Sequence, residues 1–247
     1  MSIVEREIQT RTFAKFASNA CLTALSPSAF ALLKPHLSEL IIDAGAMLWD
    51  PTARSEQTYF PVSGMISILL PLKSGESIEV GNIARQGAAA PSFEFDSADR
   101  ATAGQALIGG RFVKIATAQL LAAAERHDEI KRMICVCRDW LLGQAQQIAA
   151  CNTVHSAERR LCRWLFQCCQ RMETKMLHAT QEQIASLLGI RRTTVTLMAQ
   201  GLHSQGLIDY RRGKISVLDA DKLRVGACEC CDMLDQRHWP STRMAAR

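Results

Sequence analysis

The sequence predicts an α+β chain in three parts: a roll of short strands, a long helix, and a C-terminal winged helix-turn-helix. Three observations predict it. Seven short apolar or alternating runs, punctuated by glycine and proline, crowd the first half. A helical periodicity then runs unbroken over three heptads. Near the C-terminus stands TQEQIASLLGIRRTTVTLMAQGLHSQGLI, residues 180–208, which has the pattern of two helices joined by a glycine turn.

From Ala20 to Leu40 the chain reads as short helical pieces interrupted by Pro27 and Pro35. Strands are expected at Leu40 to Ile42, Ala46 to Trp49, Tyr59 to Val62, Met65 to Leu70 and Ser77 to Ile83. Two more are expected near Gln105 to Ile108 and Arg111 to Ile115. Their close spacing suits a small sandwich or barrel. Between the two groups, Gln86 to Ser97 is a loop rich in Gly, Ala and Pro.

Thr117 to Arg126 is a short helix and Asp128 to Cys151 a longer one. Along the longer helix Ile130, Ile134, Cys137, Leu141, Gln144, Ile148 and Cys151 alternate in steps of four and three, a heptad seam. The seam is read as a dimer interface, with Gln144 fixing register at some cost in stability. The alternative is a helix packed on the chain's own strands. Asn152 to His155 reads as the break and hinge, with Ser156 capping the next helix to about Cys169. The domains are therefore 1–127, 128–151, 152–226, and a cysteine-containing tail at 227–247.

In the C-terminal pattern, Thr180 and Gln183 form a capping box. Ile184, Ala185, Leu187 and Leu188 supply an apolar face, Gly189 takes the left-handed turn, and Ile190 anchors it. A second helix follows from Arg191, with Val195, Met198 and Ala199 inward. Arg191, Arg192, Thr193, Thr194 and Thr196 then point outward. Short and basic side chains at a helix start are what a major groove requires. GLIDYRRGKISVL, residues 206–218, reads as a wing: Ile208 and Tyr210 on one strand, Ile215 and Val217 on the other, and Arg211, Arg212 and Lys214 at the tip for phosphates. Thr180 is counted with the DNA-contacting set.

Composition sets bounds around this reading. The chain has 247 residues, 48% hydrophobic and 21% charged, with net charge +5. That is enough for a real core, and it permits nucleic acid without demanding it. No apolar run reaches the length of a membrane span, and Glu5, Arg6 and Glu7 do not open a secretory signal. A cytoplasmic location and no membrane partner are expected. Ten cysteines then read as reduced thiols. Cys228, Cys230 and Cys231, with His238 beyond, are spaced C-x-C-C, a poor match to zinc sites, so no metal or other cofactor is expected. Cys135, Cys137 and Cys151 lie on the long helix, where facing pairs across a two-fold axis would form disulfides under oxidation. There is no phosphate-binding glycine loop, no H-E-x-x-H and no G-x-S-x-G, so no enzyme is expected.

Roll, long helix, hinge and winged helix in this order resemble the Crp-Fnr family of bacterial transcription regulators. The resemblance covers nearly the whole chain. YFPVSGMISILL (residues 59–70) followed by SIEVGNIARQG (residues 77–87) looks like a branch with mostly undefined effectors. The resemblance implies a cyclic-nucleotide-binding-like β-roll (double-stranded β-helix) as effector domain. It implies double-stranded DNA, a second copy of the chain and RNA polymerase as partners, with an unknown small molecule as effector. Members that bind cyclic AMP hold the ribose with a glutamate and the cyclic phosphate with an arginine. Arg100 looks like that arginine, but Gly87 to Phe93 carries no carboxylate and Glu94 is out of register. Cyclic AMP is therefore not the expected ligand. The family's oxygen-sensing members hold an iron-sulfur cluster with a group of N-terminal cysteines, where this chain has only Cys21. In the second helix Arg192 matches the family's first arginine, while Thr193 replaces a glutamate and Leu197 the second arginine. The operator should differ accordingly. A second reading is a thiol-based redox or small-molecule sensor acting through protein partners.

Overall fold

The computed structural model describes residues 19–52, 56–91, 101–172, 175–211 and 213–236. Helices α1 (Ala20–Thr23) and α2 (Pro27–Leu33) and a 3-10 turn (Lys34–His36) come first. Pro27 does not interrupt a helix but begins one: Ser26 Oγ accepts from Ala29 N–H, and proline at the first position loses no intrahelical bond. Seven strands follow, β1 (Ser38–Ile42), β2 (Met47–Trp49), β3 (Gln57–Pro61), β4 (Met65–Pro71), β5 (Ser77–Ile83), β6 (Ala103–Ile108) and β7 (Gly110–Ala116). They pair antiparallel in two sheets, ordered β1-β7-β3 and β2-β6-β4-β5. Each of the seven expected strands is present. Between the sheets lie Trp49, Tyr59, Ile66, Ile68, Ile83 and Phe112.

Strand β4 is buried on both faces. Ile66 and Ile68 fill the roll, while Met65 and Leu69 join the core of the C-terminal domain. That is why MISIL reads as a continuous apolar run instead of an alternating one.

Helix α3 (Thr117–Arg126) leads into α4 (Asp128–Val154). The expected break at Asn152 is absent; α4 continues to Val154 and bends at His155. The polar side chains are used inside the helix end. Thr153 Oγ1 donates to Ala149 O (3.0 Å), and Asn152 Oδ1 accepts from Arg160 Nη1 (2.6 Å). Ser156 Oγ accepts from Arg159 N–H at the start of α5 (Ala157–Met172), as expected.

The heptad seam is corrected as well, because it faces the chain's own core. Ile130, Ile134 and Cys137 pack with α1, α2 and strands β3 and β7. Leu141 and Gln144 rest on Gly81 of β5. Gln144 exchanges hydrogen bonds with the Asn82 backbone and accepts from Arg171 Nη1 (3.0 Å), so it leaves no unpaired amide. Ile148 is half-buried, and Cys151 meets Cys228. The roll and N-terminal helices supply the apolar partner that the sequence reading gave to a second copy.

The C-terminal domain contains β8 (Met176–His178), α6 (Gln181–Leu188), α7 (Arg192–Ser204), β9 (Ile208–Arg211), β10 (Lys214–Val217), α8 (Ala220–Gly226) and α9 (Cys230–Gln236). The wing has three strands, ordered β8-β10-β9, and β8 went unread in the sequence. Among the described residues no helix is long and apolar enough to cross a membrane.

Candidate nucleic-acid interface

The helix pair is built as its sequence requires. Thr180 Oγ1 accepts from Gln183 N–H (3.1 Å) and Gln183 Oε1 from Thr180 N–H (2.8 Å), a complete capping box. Gly189 sits at φ 62°, where a side chain is strained, and its N–H closes α6 on Ala185 and Ser186 carbonyls. Val195, Ala199 and Leu202 bury one face of α7 against Ile184, Leu188 and the wing residues Ile208 and Ile215.

The opposite face carries the expected contact residues, with distinctions. Arg191, Arg192 and Thr193 are exposed at the start of α7. Arg192 Nε lies 3.8 Å from Glu182 Oε2, a solvent-exposed pair worth little. Thr194 is half-buried. Thr196 Oγ1 donates to Gln181 Oε1 (2.7 Å), so its hydroxyl ties α7 to α6. Thr180's hydroxyl is likewise taken by the cap. Leu197 is 69% exposed on the outward face, an apolar group that the sequence reading noted only as a departure. Lys214 pairs in register with Arg211 across the wing, and Gly213 (φ 76°) makes the turn. Arg211 is exposed and bonded to Asp209 (3.2 Å). Arg212 and Arg100 lie outside the described residues.

The helix pair is docked on the roll. Ser186 Oγ donates to Ser77 O (2.7 Å), and the Ile78 side chain faces Gly189. Beneath this contact, Glu79 is fully buried. It accepts from Ser67 Oγ (2.6 Å), Asn82 Nδ2 (2.9 Å) and Trp164 Nε1 (3.1 Å). Burial raises its carboxyl above the usual range, against the pull of Ser67, Asn82, the Arg171 charge and Trp164. Arg171 of α5 donates to Asn82 Oδ1 and stacks over Trp140. These residues join the roll, the long helix and the C-terminal domain. A glutamate in SIEVGNI, between apolar neighbours, was the available signal.

In the loop after β5, Ala88, Ala89 and Ala90 are buried, and Ala89 bridges to Tyr59. The described part of Gly87 to Phe93 thus packs as core; residues 92–100 lie outside the described set. The cysteines fall into neighbours not predicted. Cys21 and Cys137 sulfurs are 3.9 Å apart, and those of Cys151 and Cys228 are 3.4 Å apart. Cys135 is exposed. Cys231 turns into the winged-helix core, while His238 is outside the described residues. Burial pushes the Cys151 thiol up to about 12, against the Arg163 charge.

Residues 159–225 match the family model of the Crp-like helix-turn-helix domain. No curated protein matches the sequence at a significant level. Among solved structures, FixK2 from Bradyrhizobium japonicum aligns at TM-score 0.65 and 17% identity, over 78% of this chain and 98% of that one. The c-di-GMP-responsive global regulator CLP of Xanthomonas campestris aligns at TM-score 0.65 and 15% identity, over 78% and 100%. A Crp/Fnr-family transcriptional regulator from Thermus thermophilus aligns at 0.59 and 18%, over 77% and 98%. The chain thus carries a match to the Crp-like helix-turn-helix domain, and its described residues share the fold of these Crp/Fnr-family structures.

Proposed function

We propose that the protein is a cytoplasmic, homodimeric transcription regulator that binds double-stranded DNA in a sequence-specific way. The observation that carries this reading is the capped α6–Gly189–α7 pair presenting Arg191, Arg192 and Thr193, with a basic wing beside it. Laid in the major groove, the start of α7 brings Arg192 to a guanine edge, bidentately. Thr193 and the exposed Leu197 suit thymine methyl groups. Lys214 and Arg211 serve phosphates, which set affinity and register but read no sequence. Thr180 and Thr196 act by holding the helix pair together.

Dimerisation is reassigned to the opposite face of α4. Cys135, Leu142 and Ala149 recur there at heptad spacing and are exposed, Leu142 to 59%. A two-fold pair along this stripe sets half-sites about one helical turn apart. RNA polymerase and an unidentified small-molecule effector complete the partner set. Cyclic AMP is not that effector, because no carboxylate stands in residues 87–93 to hold a ribose.

The test is selection of bound genomic fragments by the purified protein, followed by Arg192→Ala on the recovered site. Loss of about 1–3 kcal/mol and relaxed preference at one base pair per half-site are expected. Unchanged affinity and preference would remove α7 from its role.

A further inference from the structure

We propose that Cys151, His155, Cys228 and Cys230 form a binding site for one zinc-class divalent ion, which clasps the C-terminal segment to the hinge. Their ligand atoms all lie within 4.8 Å of one another. Cys151 and His155 are four residues apart, at the last turn and cap of α4, so they present to the same side. Cys228 arrives from the segment between α8 and α9, and Cys230 opens α9. Each half alone is a poor motif; the fold supplies the other half.

The distances suit a single ion. Tetrahedral zinc needs S···S and S···N edges of about 3.8 and 3.6 Å, from its bond lengths of about 2.3 Å to sulfur and 2.0–2.1 Å to nitrogen. Cys151 and Cys228 sulfurs are 3.4 Å apart, and Cys230 Sγ is 3.6 Å from His155 Nδ1. A two-iron cluster divides its ligands between two metals and needs wider spacing than this.

The surroundings also fit. His155 Nε2 lies 3.0 Å from Glu229 Oε2, the carboxylate–histidine arrangement that fixes the tautomer and frees Nδ1 for a metal. Gln147 Nε2 donates to Cys230 Sγ (3.1 Å), a bond suited to a thiolate. Three thiolates, one neutral imidazole and one divalent ion carry a net charge of minus one. The buried Arg163 guanidinium, whose charge acts on Cys151, has no carboxylate partner among the described residues and offsets that charge. On binding, the ion replaces three thiol protons, which leave to solvent, and no electron moves.

Such an ion fastens the end of the long helix to the segment just beyond the winged helix. It would hold the DNA-binding domain in one orientation at its hinge. That consequence rests on the function proposed above, so binding is measured without DNA.

Reduced full-length protein is titrated with Co²⁺ alone. Tetrahedral d–d bands and sulfur-to-cobalt charge transfer should saturate at about one ion per chain, and Zn²⁺ should displace it. Cys228→Ser with Cys230→Ser should abolish the spectrum. Glu229→Gln, a change at an exposed side chain, should weaken zinc affinity about 10–100-fold. The proposal is overturned by no saturable tetrahedral spectrum, by the same spectrum in the double serine variant, by iron with sulfide in the isolated protein, or by a Cys151–Cys228 disulfide as the native link.

Discussion

Glu79→Gln tests the docking of the DNA-binding domain on the roll, because it removes a charge and keeps a shape. The carboxyl accepts three hydrogen bonds, two from the roll (Ser67, Asn82) and one from the C-terminal domain (Trp164). An amide oxygen still accepts from Asn82 and Trp164, and the Ser67 hydroxyl can turn to accept from the new NH₂. The variant should therefore fold. What it loses is a titration. Burial holds the Glu79 carboxyl above its unfolded value of about 4.3, so the folded state keeps a proton that the unfolded state has released. The resulting stability is full below the unfolded pKa and is lost as pH rises through the folded one. The slope for one proton is at most about 1.4 kcal/mol per pH unit.

Urea unfolding across that window should show wild-type stability falling with pH relative to Glu79→Gln. Taking the difference between the two proteins removes the opposite contributions of Asp219 and Glu229, whose carboxyls are held low and which stabilise less as pH falls. Glu79→Ala is the severe version. It leaves three buried donors without their acceptor, at about 1–3 kcal/mol each before relaxation, a large share of a stability of about 5–15 kcal/mol. Parallel pH profiles for wild type and Glu79→Gln would refute the argument that burial raises the pKa of the carboxyl that joins the domains.

Three further outcomes follow from the geometry. Leu142→Lys should give monomers by sedimentation with the fold intact, whereas Leu141→Lys, directed at β5, should destabilise the chain itself; monomers from neither would leave the α4 stripe without a role. Lys214→Ala should weaken binding to all sequences about equally and flatten the salt dependence by about one phosphate contact. Titration calorimetry should find no micromolar binding of cyclic AMP, since a missing charge-assisted hydrogen bond costs about 1.5–3 kcal/mol; tight binding that also strengthens operator affinity would refute this.

Local signals carried most of the fold. The capping box at Thr180 and Gln183 and the left-handed Gly189 are set by residues a few positions apart, and they appear as read. All seven strands of the roll were legible from alternation and turn residues. What local pattern could not decide was which neighbour buries an apolar face. Ile130, Ile134, Cys137 and Leu141 repeat as a coiled-coil seam does, yet the same repeat serves any long helix lying on a flat partner. The stripe that the chain leaves open is the opposite one, with an exposed Leu142 between Cys135 and Ala149.

The cysteines show the same limit more sharply. Cys228-x-Cys230 is a weak metal motif taken along the chain, and Cys151 and His155 belong to another element about 75 residues earlier. Each pair has an unremarkable local explanation: buried thiols at a helix end, and a short cysteine-rich tail. Their meaning comes from the hinge, because the bend at His155 and the return of the chain after α8 put both pairs on one spot. The cluster sits where the long helix ends and the DNA-reading domain begins. A bond made or broken there acts on the angle between them, and the Glu79 network ties the same C-terminal domain to the roll through Trp164. The Co²⁺ titration and the Glu79→Gln pH profile therefore probe two separate fastenings of one joint. If both are present, loss of either should lower thermal stability, while loss of the metal alone should leave the pH profile of Glu79 unchanged.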